Sequence, residues 1–116
     1  MEAGSSWVPF WMDRMDEEWE KRGDVEAPLC RRKPSEYLLG GQLYFAVESG
    51  EKSLPETVRR LGDAILFYAS DVPHWDHDFP ESLREAKERA DVSPETRRKI
   101  VAENARRLYA LPPHAG

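Results

Sequence analysis

The residues best suited to chemistry lie together at positions 71–78, directly after an apolar run at positions 64–69. This segment offers carboxylates and imidazoles within eight residues: Asp71, His74, Asp76, His77 and Asp78. Carboxylate oxygens and imidazole nitrogens bind divalent metals and exchange protons with water. A carboxylate at the C-terminal end of a parallel strand also stands where α/β folds carry their chemistry. Asp71 is therefore the leading candidate for a functional residue.

Alternatives stay open for this segment. It could hold a metal by itself, or it could be a polar loop in which Asp78 caps the following helix. Pro73 and Trp75 stiffen the loop, and no predicted helix aligns the two imidazoles. Asp71 could likewise be a carboxylate that hydrogen-bonds to a neighbouring loop.

The elements that must position these residues alternate between strands and helices. The run at 64–69 predicts a strand covered on both faces, and residues 42–49, which contain Glu48, predict another. Residues 1–3 resemble the end of a third strand. Helices are predicted at five places: 7–22 with Gly23 as its end, 34–39, 53–61 closed by Gly62, from the Asp78 capping pattern onward, and from Ser93 onward. This order indicates βαβ units in a parallel sheet, whose open edges are a liability for an isolated monomer.

The first predicted helix carries an apolar stripe at i, i+4 spacing, formed by Trp7, Trp11, Met15 and Trp19. Such a stripe packs on a sheet or a partner subunit, or it lines a ligand groove. In the last predicted helix, the expected apolar face is Ile100, Val101, Ala105, Leu108 and Tyr109.

Composition limits the classes of protein to consider. The 116 residues predict one domain spanning 1–116, and the net charge of −5 argues against nucleic acid as a partner. Cys30 is the single cysteine, so no disulfide framework can form within the chain. The first residues lack the pattern of a signal peptide, and no apolar run reaches membrane-spanning length, so a cytoplasmic location is expected.

Four segments together resemble one family. Residues 67–76, Phe-Tyr-Ala-Ser-Asp-Val-Pro-His-Trp-Asp, look like the strand-8 segment of the amidohydrolase-related metal-dependent hydrolases, and residues 104–111 look like their C-terminal helix. Residues 2–11 resemble the turn after strand 6, and residues 32–37 a segment before strand 7. The group includes the aminocarboxymuconate-semialdehyde decarboxylase type.

The resemblance implies an incomplete TIM barrel of the (β/α)8 type. A whole barrel takes roughly 250 residues, so this chain would supply the last three β/α units, strands 6 to 8. The family holds its metal with a His-x-His after strand 1, a His after strand 5, often a His after strand 6, and an Asp after strand 8. Asp71 matches that aspartate, Glu2 stands where some members have the strand-6 histidine, and the sequence contains no His-x-His.

The implied activity is metal-assisted hydrolysis or decarboxylation of a small carboxylic, amide or ester substrate. The expected cofactor is a divalent metal, zinc first, which Asp71 would bind or from whose water it would accept a proton. Glu48 and His74 are candidates for substrate contact. We expect the chain to be inactive by itself. The alternative is a non-catalytic α/β fragment stabilised as a homo-oligomer or by a separately encoded N-terminal half.

Overall fold

The computed structural model describes residues 3–112, in which two short strands form a parallel sheet. Strand β1 spans Phe45–Val47 and strand β2 spans Leu66–Tyr68, each shorter than its apolar run. Phe45 lies opposite Leu66 and Val47 opposite Tyr68, which confirms the predicted parallel pairing of these two strands. The partial strand predicted at 1–3 falls mostly on Met1 and Glu2, which lie outside the described residues.

Helices make up about half of the described chain. They are α1 (Val8–Glu26), α2 (Pro34–Leu38), α3 (Leu54–Leu61), α4 (Glu81–Glu88), α5 (Pro94–Arg98) and α6 (Asn104–Leu108), and a π-helical turn (Lys99–Glu103) joins α5 to α6. Strand β1, helix α3 and strand β2 form one βαβ unit, as the alternation predicted.

The core lies between the sheet and the helices on one of its faces. Leu66 of β2 is completely buried, and it belongs to a cluster formed by Val8, Met12, Leu38, Val47, Leu54, Leu61, Ile65, Leu66 and Ile100. Trp7 packs against this cluster and meets Phe45 edge to face, with ring centroids 5.9 Å apart. Trp11 is half exposed and contacts the ring of Phe10 edge to face instead. The predicted stripe therefore does not pack against the core along its whole length.

Glycine plays different parts at the ends of two helices. Gly62 has a φ of +76° directly after α3 and ends that helix as predicted. The predicted end of α1 at Gly23 is wrong, because the helix continues to Glu26. Gly23 is buried beneath Trp19, and a Cβ atom there would lie 2.6 Å from Cδ1 of the indole. The glycine therefore permits close packing within the helix.

The predicted helix caps have different outcomes. The Ser93 hydroxyl accepts a hydrogen bond from the N–H of Thr96 at 3.1 Å, so the start of α5 is confirmed. The capping box at Ser53 is wrong, since this residue has a helical backbone and its side chain makes no capping bond. The Asp78 cap is also wrong: Pro80 precedes α4, and Asp78 contributes its main-chain carbonyl, which accepts from the N–H of Ser82.

The π-helical turn changes which residues of the last helical segment face inward. The N–H of Asn104 bonds to the carbonyl of Lys99, five residues earlier, which adds one residue to the turn. Asn104 is buried, whereas Leu108 and Tyr109, predicted on the apolar face, are exposed. Ile100 is buried as predicted.

The described chain is more extended than a compact domain. Its radius of gyration is 16.1 Å, against about 13.4 Å for a compact domain of this length. Within residues 3–112, no helix has the length and apolar character needed to cross a membrane.

Candidate functional site

Asp71 stands close to the C-terminal end of β2. The strand ends at Tyr68, and Asp71 adopts a left-handed backbone with φ of +56°, a conformation that aspartate tolerates better than most residues. Its main-chain carbonyl accepts a hydrogen bond from the N–H of His74 at 2.8 Å, which closes a tight turn. The chain therefore reverses direction just beyond the strand and brings the following residues back towards Asp71.

This turn assembles three possible metal ligands, Asp71, His74 and Asp76, which we call the Asp–His–Asp cluster. Nδ1 of His74 lies 3.8 Å from Oδ2 of Asp71 and 3.4 Å from Oδ1 of Asp76. One ligand atom from each residue lies within 4.8 Å of the other two. All three side chains are about half exposed to solvent.

A cleft of about 690 Å³ opens between the C-terminal ends of the two strands. Glu48, which follows β1, and Asp71, which follows β2, both line it. The two carboxylates that the sequence placed at strand ends therefore share one cavity. His74, predicted to contact substrate, is not among the lining residues, and the imidazole that lines the cleft belongs to His77.

His77 is held in one orientation by the main chain. The N–H of Phe79 donates to its Nδ1 at 3.2 Å. Because Nδ1 accepts this bond, the neutral ring carries its proton on Nε2. Spacing alone gave no reason to prefer His77 over His74, since both lie in the same loop.

The loop after β1 is fixed by Arg89, a residue that sequence reasoning missed. Its guanidinium donates to the main-chain carbonyls of Ser49 and Glu51, each at 2.7 Å. Asp91 accepts two further bonds from the same group, which raises the pKa of Arg89 and lowers the pKa of the Asp91 carboxyl. The Ser49 hydroxyl also donates to Glu85 at 2.6 Å. These bonds hold the segment that carries Glu48 at the cleft.

Glu51 ties the same loop to the first described residues. Its carboxylate accepts from the N–H of Ser5 at 3.0 and 3.1 Å and from the Ser5 hydroxyl at 2.9 Å. Ser5 is completely buried, and Gly4 before it has a φ of +56° and lines the cleft. The glycine–serine pair was a visible signal of a turn, but nothing in the sequence pointed to its partner.

Asn104, in the segment that resembles the family's last helix, anchors β2. Its side-chain amide donates to the main-chain carbonyls of Asp63 and Leu66, the latter at 2.7 Å. Arg107 of the same helix donates to the carbonyl of Ala64. Asn104 and Arg107 therefore hold β2, the strand that leads to Asp71, through hydrogen bonds to the main-chain carbonyls of the strand and of the residues before it.

The donor set of the Asp–His–Asp cluster fits a divalent metal. Zinc accepts imidazole nitrogen and carboxylate oxygen, and catalytic zinc sites combine three protein ligands with an open position for water. The cluster supplies one nitrogen and two carboxylates, and its exposure leaves room for water. Glu2, which the sequence resemblance predicts at the place of the strand-6 histidine, lies outside the described residues.

Comparison with known protein families gives a match to the amidohydrolase family over residues 1–111. The chain therefore belongs to the amidohydrolase family. This family folds as a TIM barrel, generally uses divalent metals and acts on small molecules. A search among curated proteins found no match.

Proposed function

We propose that this chain supplies the last three β/α units, strands 6 to 8, of a metal-dependent amidohydrolase barrel of the aminocarboxymuconate-semialdehyde decarboxylase type. The reaction is hydrolysis or decarboxylation of a small carboxylic, amide or ester substrate. One observation carries the proposal: Asp71 and Glu48 follow neighbouring parallel strands and line the same cleft. The C-terminal ends of barrel strands are where TIM-barrel enzymes place their active sites.

In this proposal the two carboxylates have separate tasks. Asp71 binds the metal or takes a proton from the attacking water, since its carboxylate is exposed at the cleft. Glu48 contacts a polar group of the substrate, and the bonds from Arg89 to Ser49 and Glu51 hold its loop in place. A divalent metal, zinc first, would lower the pKa of its bound water towards neutrality.

We further propose that the chain is inactive by itself. The family's His-x-His does not occur in residues 1–116, so the proposed barrel centre takes those imidazoles from strands outside these three β/α units. Strands 1 to 5 would supply them and close the barrel.

A complementation assay tests this function. The chain is assayed for hydrolysis and decarboxylation alone, and then together with a polypeptide that contains strands 1 to 5 and a His-x-His. Turnover should occur only in the mixture, and Asp71→Asn should lower it by about 100-fold or more, as expected for loss of a general base or metal ligand. Asp24→Asn, on the exposed side of α1, is the control.

Two results would contradict the proposal. Turnover by the chain alone would show that it needs no further imidazoles. Turnover of the mixture that survives Asp71→Asn would remove Asp71 from the chemistry.

A second candidate is a non-catalytic fragment that associates with itself. It is favoured by the second face of the sheet, which is only partly covered: Ala46 and Phe67 lie opposite each other there and are half-buried, while their neighbours Val47 and Leu66 point into the core. Within residues 3–112 the sheet contains two strands, so β1 and β2 each have one edge without a neighbouring strand. The radius of gyration, which is larger than that of a compact domain, agrees with a sheet face that a partner covers.

Sedimentation over a range of concentrations tests self-association. This candidate predicts a dimer or larger species that Phe67→Ser converts to monomer. Val25→Ser, on an exposed position near the end of α1, should leave the assembly unchanged. A monomer at every concentration would exclude the candidate.

A further inference from the structure

We propose that the Asp–His–Asp cluster is a zinc site in its own right, complete within the loop after β2. This goes beyond the proposed function, in which Asp71 shares a metal with imidazoles from other strands. Here the nitrogen ligand is His74 and the second carboxylate is Asp76, so that the chain binds Zn²⁺ without any other polypeptide.

The spacing of the ligand atoms supports this site. With zinc–ligand bonds of 2.0–2.1 Å, two ligand atoms at the corners of a tetrahedron are about 3.3 Å apart. Nδ1 of His74 is already 3.4 Å from the Asp76 carboxylate and 3.8 Å from that of Asp71. The ligand atoms of all three residues lie within 4.8 Å of one another, and their side chains are exposed enough to rotate towards one ion.

The loop itself limits the entropy lost when the ligands converge. The N–H of His74 bonds to the carbonyl of Asp71, and the N–H of His77 bonds to the carbonyl of His74. Pro73 fixes a further φ angle between the first two ligands. The main chain is therefore ordered around the cluster before a cation arrives.

The charge of the neighbouring cleft is a further reason to expect a cation. Besides Asp71 and Asp76 of the cluster itself, its lining includes three carboxylates, those of Glu48, Asp78 and Glu85. No lysine or arginine occurs among the described residues that line it. A cleft lined by one sign of charge concentrates counter-ions, here cations, at its surface.

The mixed donor set selects among cations. Magnesium prefers oxygen ligands and octahedral geometry, whereas imidazole nitrogen suits zinc. One nitrogen and two carboxylates within 4.8 Å therefore favour Zn²⁺ over Mg²⁺.

Zinc titration of the 116-residue chain tests the site. Calorimetry should give one Zn²⁺ per chain, which an excess of Mg²⁺ does not displace. Amide NMR signals of residues 71, 72 and 74–76 should shift in the same titration.

Matched variants locate the ion. His74→Asn and Asp76→Asn should each weaken zinc binding by at least about tenfold, because even supporting residues around metal ligands are worth that much. His77→Asn removes the neighbouring imidazole but keeps a hydrogen-bond acceptor for the N–H of Phe79, and it should leave the affinity unchanged. The ligand side chains are exposed, so each variant should retain the circular dichroism spectrum of the wild type.

The proposal would be overturned if zinc failed to bind with that stoichiometry. Equal losses in the His74 and His77 variants, or no loss in either ligand variant, would also overturn it. These results would leave the barrel proposal intact, since its imidazoles come from elsewhere. Conversely, unchanged turnover of the complemented mixture after Asp71→Asn would overturn the barrel proposal. The zinc site proposed here would then still be tested by the titration of the isolated chain.

Discussion

The side-chain amide of Asn104 donates a hydrogen bond to the main-chain carbonyl of Leu66 at 2.7 Å, and this contact joins the last helix to strand β2. The same amide donates to the carbonyl of Asp63. Asn104 is 1% exposed, so both bonds are shielded from water on the helix side. The strand that leads to Asp71 is thus held in place by a polar side chain within the core.

Replacement of Asn104 by leucine should destabilise the chain by about 2–4 kcal/mol. The substitution keeps the number and branching of the side-chain heavy atoms but leaves the carbonyls of Asp63 and Leu66 without this donor, and each unsatisfied buried group costs about 1–3 kcal/mol. Urea unfolding measures the change. The exposed neighbour Glu103→Gln is the control and should stay within about 0.5 kcal/mol of wild type. Equal stability of the two variants would show that the amide contributes nothing.

Ser93→Ala should lower the free energy of unfolding by about 1 kcal/mol. Its hydroxyl accepts from the N–H of Thr96 at the start of α5, and loss of such a cap has this typical cost. Ser53→Ala, the same substitution before α3, should change stability by less than about 0.5 kcal/mol because that side chain makes no capping bond. A larger effect at Ser53 than at Ser93 would contradict both assignments.

Gly4→Ala should be more destabilising than Gly41→Ala. Both glycines have positive φ angles, +56° and +85°, so both substitutions carry a backbone cost of about 1 kcal/mol. A Cβ at Gly4 would also lie 2.9 Å from the Glu51 carboxylate, which is held by bonds from Ser5, whereas a Cβ at Gly41 meets no atom within 4 Å.

Thermal or urea unfolding in a Glu51→Ala background separates these two causes. Without the carboxylate, the cost of Gly4→Ala should fall to that of Gly41→Ala. An unchanged difference would mean that the crowding at Glu51 is not responsible.

Asp91→Asn should destabilise the chain more at about pH 6 than at about pH 3. Hydrogen bonds from Arg89 lower the pKa of the Asp91 carboxyl in the folded chain, so the ionised form favours folding. This contribution is present above the unfolded pKa of about 3.9 and is lost as the pH falls through the folded pKa. Unfolding curves of the variant and wild type should converge on acidification. If the difference in free energy of unfolding between variant and wild type stayed constant with pH, the proposed contribution of the Arg89–Asp91 pair would be contradicted.

Local patterns predicted the elements that continuous apolar runs and simple turn residues specify. The end of α3 at Gly62 and the cap at Ser93 depend on residues close in sequence. The parallel pairing of β1 and β2 followed from the alternation of strand, helix and strand. The predictions for the C-terminal end of α1 and for the start of α4 were wrong, because Gly23 serves packing against Trp19 and because Asp78 uses its main-chain carbonyl.

The candidate site was predictable only in part. Asp71 and Glu48 follow apolar runs, and this position was enough to expect them at one edge of the sheet. The approach of His74 and Asp76 to Asp71 depends on the left-handed backbone at Asp71, which spacing does not reveal. Arg89 and Glu51 act on partners about 40 residues away in the chain, which local patterns cannot identify.

The extra residue in the π-helical turn has a consequence for transferring the Asn104 motif to another protein. Each residue turns a regular α-helix by about 100°, so the same side chains on an uninterrupted helix would point to a different side. A graft that copies Asn104 and Arg107 but replaces residues 99–103 with a regular helical turn would rotate the amide by about 100° relative to α5. The smallest transferable unit is therefore the whole segment, residues 99–107.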